Sequence, residues 1–199
     1  MAVIAGVANF AVVESMIVPG DAAVTAGNIR GNAAGFRLGA LGLVTVAILD
    51  VLVAWSLYAV FRPVNPALSL LAAWLRLAYA AVFAFAAAFL FVAARAAGSD
   101  PALTMTLTDV FGDAWTVGLV VFGAHLVLLG VLALRSDFVH AVFGVLLLIA
   151  GAGYAFDSVA VLIDPDFGFE VALFTFAGEV AFIVWLLVRG IRYRAPRGA

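Results

Sequence analysis

GALGLVTVAILDVLVAWSLYAVF, residues 39–61, is an apolar run broken by a single acid, Asp50. About 20 apolar residues at ~1.5 Å rise each cross a hydrocarbon core of about 30 Å. This run meets that length. It is closed by Arg62-Pro63-Val64-Asn65-Pro66, where neither Pro63 nor Pro66 can continue a helix. One membrane span ends at this turn and another begins.

The pattern repeats in both directions. Residues 67–94, 114–134, 139–163 and 169–188 come after it as apolar runs, and residues 2–18 precede it. The expectation is an all-α fold: one domain over 1–199, a polytopic bundle of six transmembrane helices with those spans. The run 67–94 is the longest and must tilt or protrude. The run 2–18 is short and has nothing basic before it. Its alternative is a signal peptide ending near Val24-Thr25-Ala26, but that class wants a positive leader and would not hold Glu14 in its apolar core. The stretch from Pro19 to Ala26 reads as a short helix capped near Asp21, too polar and too short to span.

Composition agrees. The 199 residues are 67% hydrophobic and 11% charged, with mean hydropathy +1.23, so no loop is left to fold as a soluble domain. Absence of cysteine excludes thiolate and disulfide chemistry. Absence of lysine excludes a Schiff base. The net charge of −2 offers no basic surface, so no nucleic-acid partner is expected. Every basic residue is arginine, a bias of high-GC prokaryotic genomes. Arg62, Arg135, Arg189, Arg192, Arg194 and Arg197 fall on one side of the six-span layout, against Arg30, Arg37 and Arg95 on the other, where most of the loop acids also lie. That asymmetry places both termini in the cytoplasm. Trp55, Tyr58, Trp74 and Trp185 gather toward the inner boundary and Trp115 sits at the outer one, as interfacial belts do.

Away from its ends each run carries one acid, arginine or histidine, namely Glu14, Asp50, Arg76, His125, Asp157 and Glu179, while His140 and Glu170 sit near span ends and can reach the interface. A charge in hydrocarbon costs about 2.5–3.5 kcal/mol even on lenient insertion scales, so such residues face the interior and find partners. Counting ~1.5 Å per residue puts Asp50, Arg76, His125 and Glu179 near mid-membrane and Glu14 and Asp157 in the outer third. The central quartet is the expected charged core or binding site, and Asp157, Tyr154 and Glu14 its outer mouth. Tyr154 and Asp157 share a helix face, so the hydroxyl could satisfy the acid. A metal on His125, Asp50 and Glu179 would be repelled by Arg76, and His140 lies too far from His125 for one haem; no metal or cofactor is expected. The same ionisable positions recur at near-constant spacing between the two halves, a weak sign of inverted repeats that Asp157 breaks.

These residues carry a resemblance. Val18-Pro19-Gly20-Asp21, Phe36-Arg37-Leu38-Gly39 and Arg62-Pro63-Val64-Asn65 resemble a prokaryotic family of multi-pass membrane proteins known as domain of unknown function 4386. So do Phe122-Gly123-Ala124-His125, Gly151-Ala152-Gly153-Tyr154 with Asp157-Ser158, and Gly178-Glu179-Val180. The resemblance runs from Ile17 onward. It implies the membrane fold and family-typical positions for Arg76, His125, Tyr154, Asp157 and Glu179, and supplies no substrate.

Three functions fit. The first is a small carrier or channel-like protein of the prokaryotic cell membrane that binds a proton or polar solute, with Arg76 as counter-ion, Asp50 and Glu179 as exchangeable acids and His125 as relay. The second is a non-enzymatic module that binds membrane lipids or assembles as a homo-oligomer or with a partner, its charges being internal glue. The third, an intramembrane enzyme acting on a lipid, is the weakest, because no catalytic motif is present.

Overall fold

The structure, a computed structural model, describes residues 2–164, 167 and 180–188, and among these there is no strand. Helix α1, Ala2–Gly6, runs straight into a π-helical turn, Val7–Val13, and a 3-10 turn, Glu14–Met16. Then come α2, Ala22–Gly31; α3, Ala33–Phe61; α4, Pro66–Ala96; α5, Pro101–Leu134; and α6, Ala141–Ile163. Residues 180–188 are helical.

Capping residues set the starts. Asp21, Asn32, Asn65 and Asp100 each accept the backbone N–H three residues on, at 2.9–3.1 Å. Those bonds answer donors that a helix's first turn leaves without partners. Pro66 and Pro101 occupy first-turn positions, where a missing N–H costs nothing. Gly20, at φ +76°, makes the reversal that delivers Asp21 to its cap.

Helices α3 to α6 pack in chain order, each against the next, while the N-terminal segment lies along α3 and α2 packs on α5. Thr25 on α2 ties the two ends of this connection together: its hydroxyl accepts from Val18 N at 2.9 Å and donates to Val18 O at 3.2 Å. The α5–α6 seam is closest. A methyl built on Gly123 would stand 2.6 Å from the Gly151 carbonyl oxygen, and one on Gly130 2.8 Å from that of Gly144. The two glycine pairs share one antiparallel register, so the backbones themselves touch.

Four helices, α3 to α6, are long and apolar enough to cross a membrane. Their outward faces carry Ile48, Leu52, Trp55, Trp74 and Phe85, all exposed. A bundle facing water does not present so much apolar surface. Six spans were expected, and the described residues hold four. The 2–18 run yields only a short apolar helix, Ile4–Met16, because its pitch changes twice and the chain leaves helix at Ile17. The 169–188 run lies largely outside the described residues. Two helices also start earlier than hydropathy suggested: α3 at Ala33 rather than Gly39, and α5 at Pro101 rather than Ala114. Asn32 and Asp100 cap them there, which apolar counting ignores. Trp115, expected at the outer boundary, packs between Phe83 and Phe111, at 5.2 and 5.7 Å.

Candidate functional site: a buried charged clasp

Asp50, Arg76 and His125 come from α3, α4 and α5 and meet at one level of the bundle. Each lies about 13–17 Å from the end of its helix nearest the Arg62 and Arg135 turns, by the ~1.5 Å rise. Equal depth on three packed helices makes contact possible. Burial then makes it necessary, since the three are only 2%, 3% and 1% exposed.

Arg76 Nε donates to Asp50 Oδ1 at 2.9 Å, and Nη2 donates to the same oxygen at 2.5 Å. Arg76 Nη1 lies 3.2 Å from His125 Nε2, while His125 Nδ1 lies 2.9 Å from the Ala72 carbonyl oxygen. These contacts fix the tautomer. A carbonyl can only accept, so Nδ1 carries the hydrogen, and Nε2 of a neutral imidazole is free to accept from the guanidinium. A second proton on Nε2 would set one donor against another. Arg76 Cζ also sits 5.4 Å from the centre of the Phe122 ring, a cation–π contact in a water-poor setting.

Phe122 does more than hold Arg76. Its ring centre is 5.8 Å from that of His125, 4.9 Å from Tyr79 and 5.6 Å from Tyr154. It therefore stands between the clasp and the turn of α6 that carries Tyr154, Asp157 and Ser158. Asp157 and Ser158 are both buried. Of the expected central quartet, three residues are brought together, and Glu179 lies outside the described residues. Of the expected outer mouth, Glu14 is exposed on the N-terminal segment, where it accepts from Asn9 Nδ2 at 2.6 Å.

Asn9 was missed by a reading that tracked only ionisable groups. It is 1% exposed inside the π-helical turn, and its Oδ1 has no partner among the described residues. An isolated amide in an otherwise apolar run was the available signal. The indole N–H of Trp115 is likewise enclosed without a described partner. Among the described residues no three His, Cys, Asp or Glu side chains converge to hold a metal ion. Both nitrogens of His125 are already engaged, and His140 is exposed, with its ring 6.2 Å from that of Trp185.

Comparison with known proteins gives a family and no activity. The family model described as domain of unknown function DUF4386 matches residues 1–190. The chain belongs to that family. The match takes in the N-terminal segment, which the motif-level resemblance from Ile17 left out. An uncharacterised protein of the archaeon Archaeoglobus fulgidus is 33% identical over 152 residues, covering 75% of this chain and 82% of that relative. No solved structure matches the chain.

Proposed function

We propose that this DUF4386 protein is a six-span protein of the prokaryotic cell membrane with cytoplasmic termini. In it the charged centre is an internal fastening and the surface is what functions, as a non-enzymatic module that binds lipid or assembles. The observation carrying this reading is the closure of the clasp. Among the described residues one acid and one guanidinium cancel, and the third member, His125, has both ring nitrogens engaged. The orientation draws on the six-span layout, in which Arg62, Arg135, Arg189, Arg192, Arg194 and Arg197 fall on one side against Arg30, Arg37 and Arg95 on the other. The helical residues 180–188 at the end of the last apolar run support a further span.

A second reading, the proton or solute carrier, draws on Phe122. A single ring parting a buried ion pair from the Tyr154/Asp157 turn is where a gate would stand, with Asp50, Arg76, His125 and Glu179 as the site behind it. Purified chain in liposomes loaded with a pH-sensitive dye separates the two. The module reading expects proton flux no greater than in empty liposomes. Flux that disappears in Glu179→Gln would replace it with the carrier.

A further inference from the structure

The α5–α6 seam and the contact of the N-terminal segment with α3 are built differently. On α5 and α6 glycine faces glycine. Between the N-terminal segment and α3 the glycines stand on one side only, where methyls on Gly39 and Gly42 would meet Val12 and Ala8 at 2.9 and 2.8 Å. Beside that contact an open groove of about 690 Å³ runs along the outside of the bundle.

Its lining changes character along its length. On α3 it descends from Asn32 and Gly35 to Gly39 and Gly42, about 15 Å at ~1.5 Å per residue. Asn32 and Ser15 form one end, and Ile4, Val7 and Ala8 wall the other. The long apolar run of α3 begins at Gly39, so the groove straddles the level where hydrocarbon should give way to headgroups. Leu38 on its rim is 67% exposed. Asn32 uses Oδ1 to cap α3, leaving its Nδ2 as a donor at the polar end. Ser15 gives its hydrogen to Val12 O at 2.9 Å and keeps only acceptor capacity.

We infer that this groove seats one membrane phospholipid, its acyl chain lying along the outer side of the contact between the N-terminal segment and α3 and an ester or phosphate oxygen accepting from Asn32 Nδ2. The long axis parallels the helices, as a bilayer chain does. The lining's free side-chain donor lies at the end where a phospholipid presents its ester and phosphate acceptors, and the apolar end lies where its chain runs. The inference rests on the membrane reading above and gives that reading a specific lipid-binding surface.

The test uses the full chain in bilayers doped with a phosphatidylcholine that carries a photoreactive group on its acyl chain, with adducts mapped by mass spectrometry. Labelling should concentrate several-fold on residues 4–16 and 32–42 over the Ile48, Leu52 and Trp55 face of the same helix. Ala11→Phe, which fills the groove, should remove the excess while leaving labelling at Trp55 unchanged. Asn32→Asp keeps the cap and the fold but deletes the donor, and should also reduce the excess. Even labelling of every lipid-facing position overturns the inference, and so does an excess that palmitic acid displaces but unlabelled phosphatidylcholine does not. A chain that fails to float with the bilayers overturns the membrane reading itself.

Discussion

Arg76 and Asn9 are both almost wholly enclosed, yet one sits among three side-chain partners and the other has one, with its oxygen unanswered among the described residues. Arg76 spends its guanidinium on Asp50, His125 and the face of Phe122. Asn9 spends its amide nitrogen on an exposed glutamate and leaves its oxygen unanswered among the described residues. The backbone explains the contrast. Long regular helices hold a register over many turns, so three side chains at matched depth meet every time. The N-terminal segment changes pitch at Val7 and again at Glu14, and each change rotates the residues beyond it about the helix axis. It therefore delivers Asn9 inward without a matching group and leaves a groove beside it.

The difference is sharpest in what deletion should cost. Arg76→Ala strands Asp50 as an uncompensated buried charge, a loss of about 3–5 kcal/mol for such pairs. The purified chain in detergent micelles should melt far lower or fail to accumulate. Asp50→Leu combined with Arg76→Met removes both charges and keeps the volume, and should recover most of that loss. If the double variant melts as low as Arg76→Ala, the clasp is not a self-contained fastening.

Gly123→Leu comes next. Its side chain must enter where the Gly151 carbonyl stands 2.6 Å from the first carbon, and backbone cannot swing aside as a side chain can. Overpacking of this kind costs about 1–3 kcal/mol. Gly27→Leu on α2 meets nothing within 4 Å and should melt like the wild type. Equal melting of the two variants would mean that the α5–α6 seam is looser than its glycines indicate.

His125→Leu should fall in the same range. It takes the acceptor from Arg76 Nη1, and a buried donor without a partner costs about 1–3 kcal/mol. His125→Gln can restore an acceptor and should recover part of that loss, read again as melting temperature. No recovery would mean that the histidine acts through its bulk rather than its lone pair.

How much of this could be read from the chain obeys the same division. Asp50, Arg76 and His125 were placed by counting rise along regular helices, and in such helices depth is linear in sequence. The pairings within the group were not legible, because rotation about each axis is set by packing. The starts of α3 and α5 were written in the chain as Asn32 and as Asp100-Pro101, but capping lies outside hydropathy and hydropathy dominated the reading. The π-helical turn had no signal at all: Val7–Val13 is as apolar as any α-helical stretch. Asn9 was visible as a letter and invisible as a problem until its turn was known to face inward. The family's own label adds nothing about chemistry, so the site stands on geometry alone.

Asn9→Ala should have the smallest effect, and its size is informative because two terms oppose. The variant gives up a bond to Glu14, an exposed acid whose pairing in solvent contributes little. It also removes a buried acceptor with no described partner, which relieves a penalty. The net change should stay within about 1 kcal/mol of zero, since a typical neutral hydrogen bond contributes only about that much. The melting temperature should then sit near that of the wild type while Arg76→Ala falls steeply. A loss at Asn9 as large as that at Arg76 would show that its oxygen has a partner in the folded protein. The N-terminal segment would then be as firmly fastened as the centre, and the contrast between the two regions would collapse.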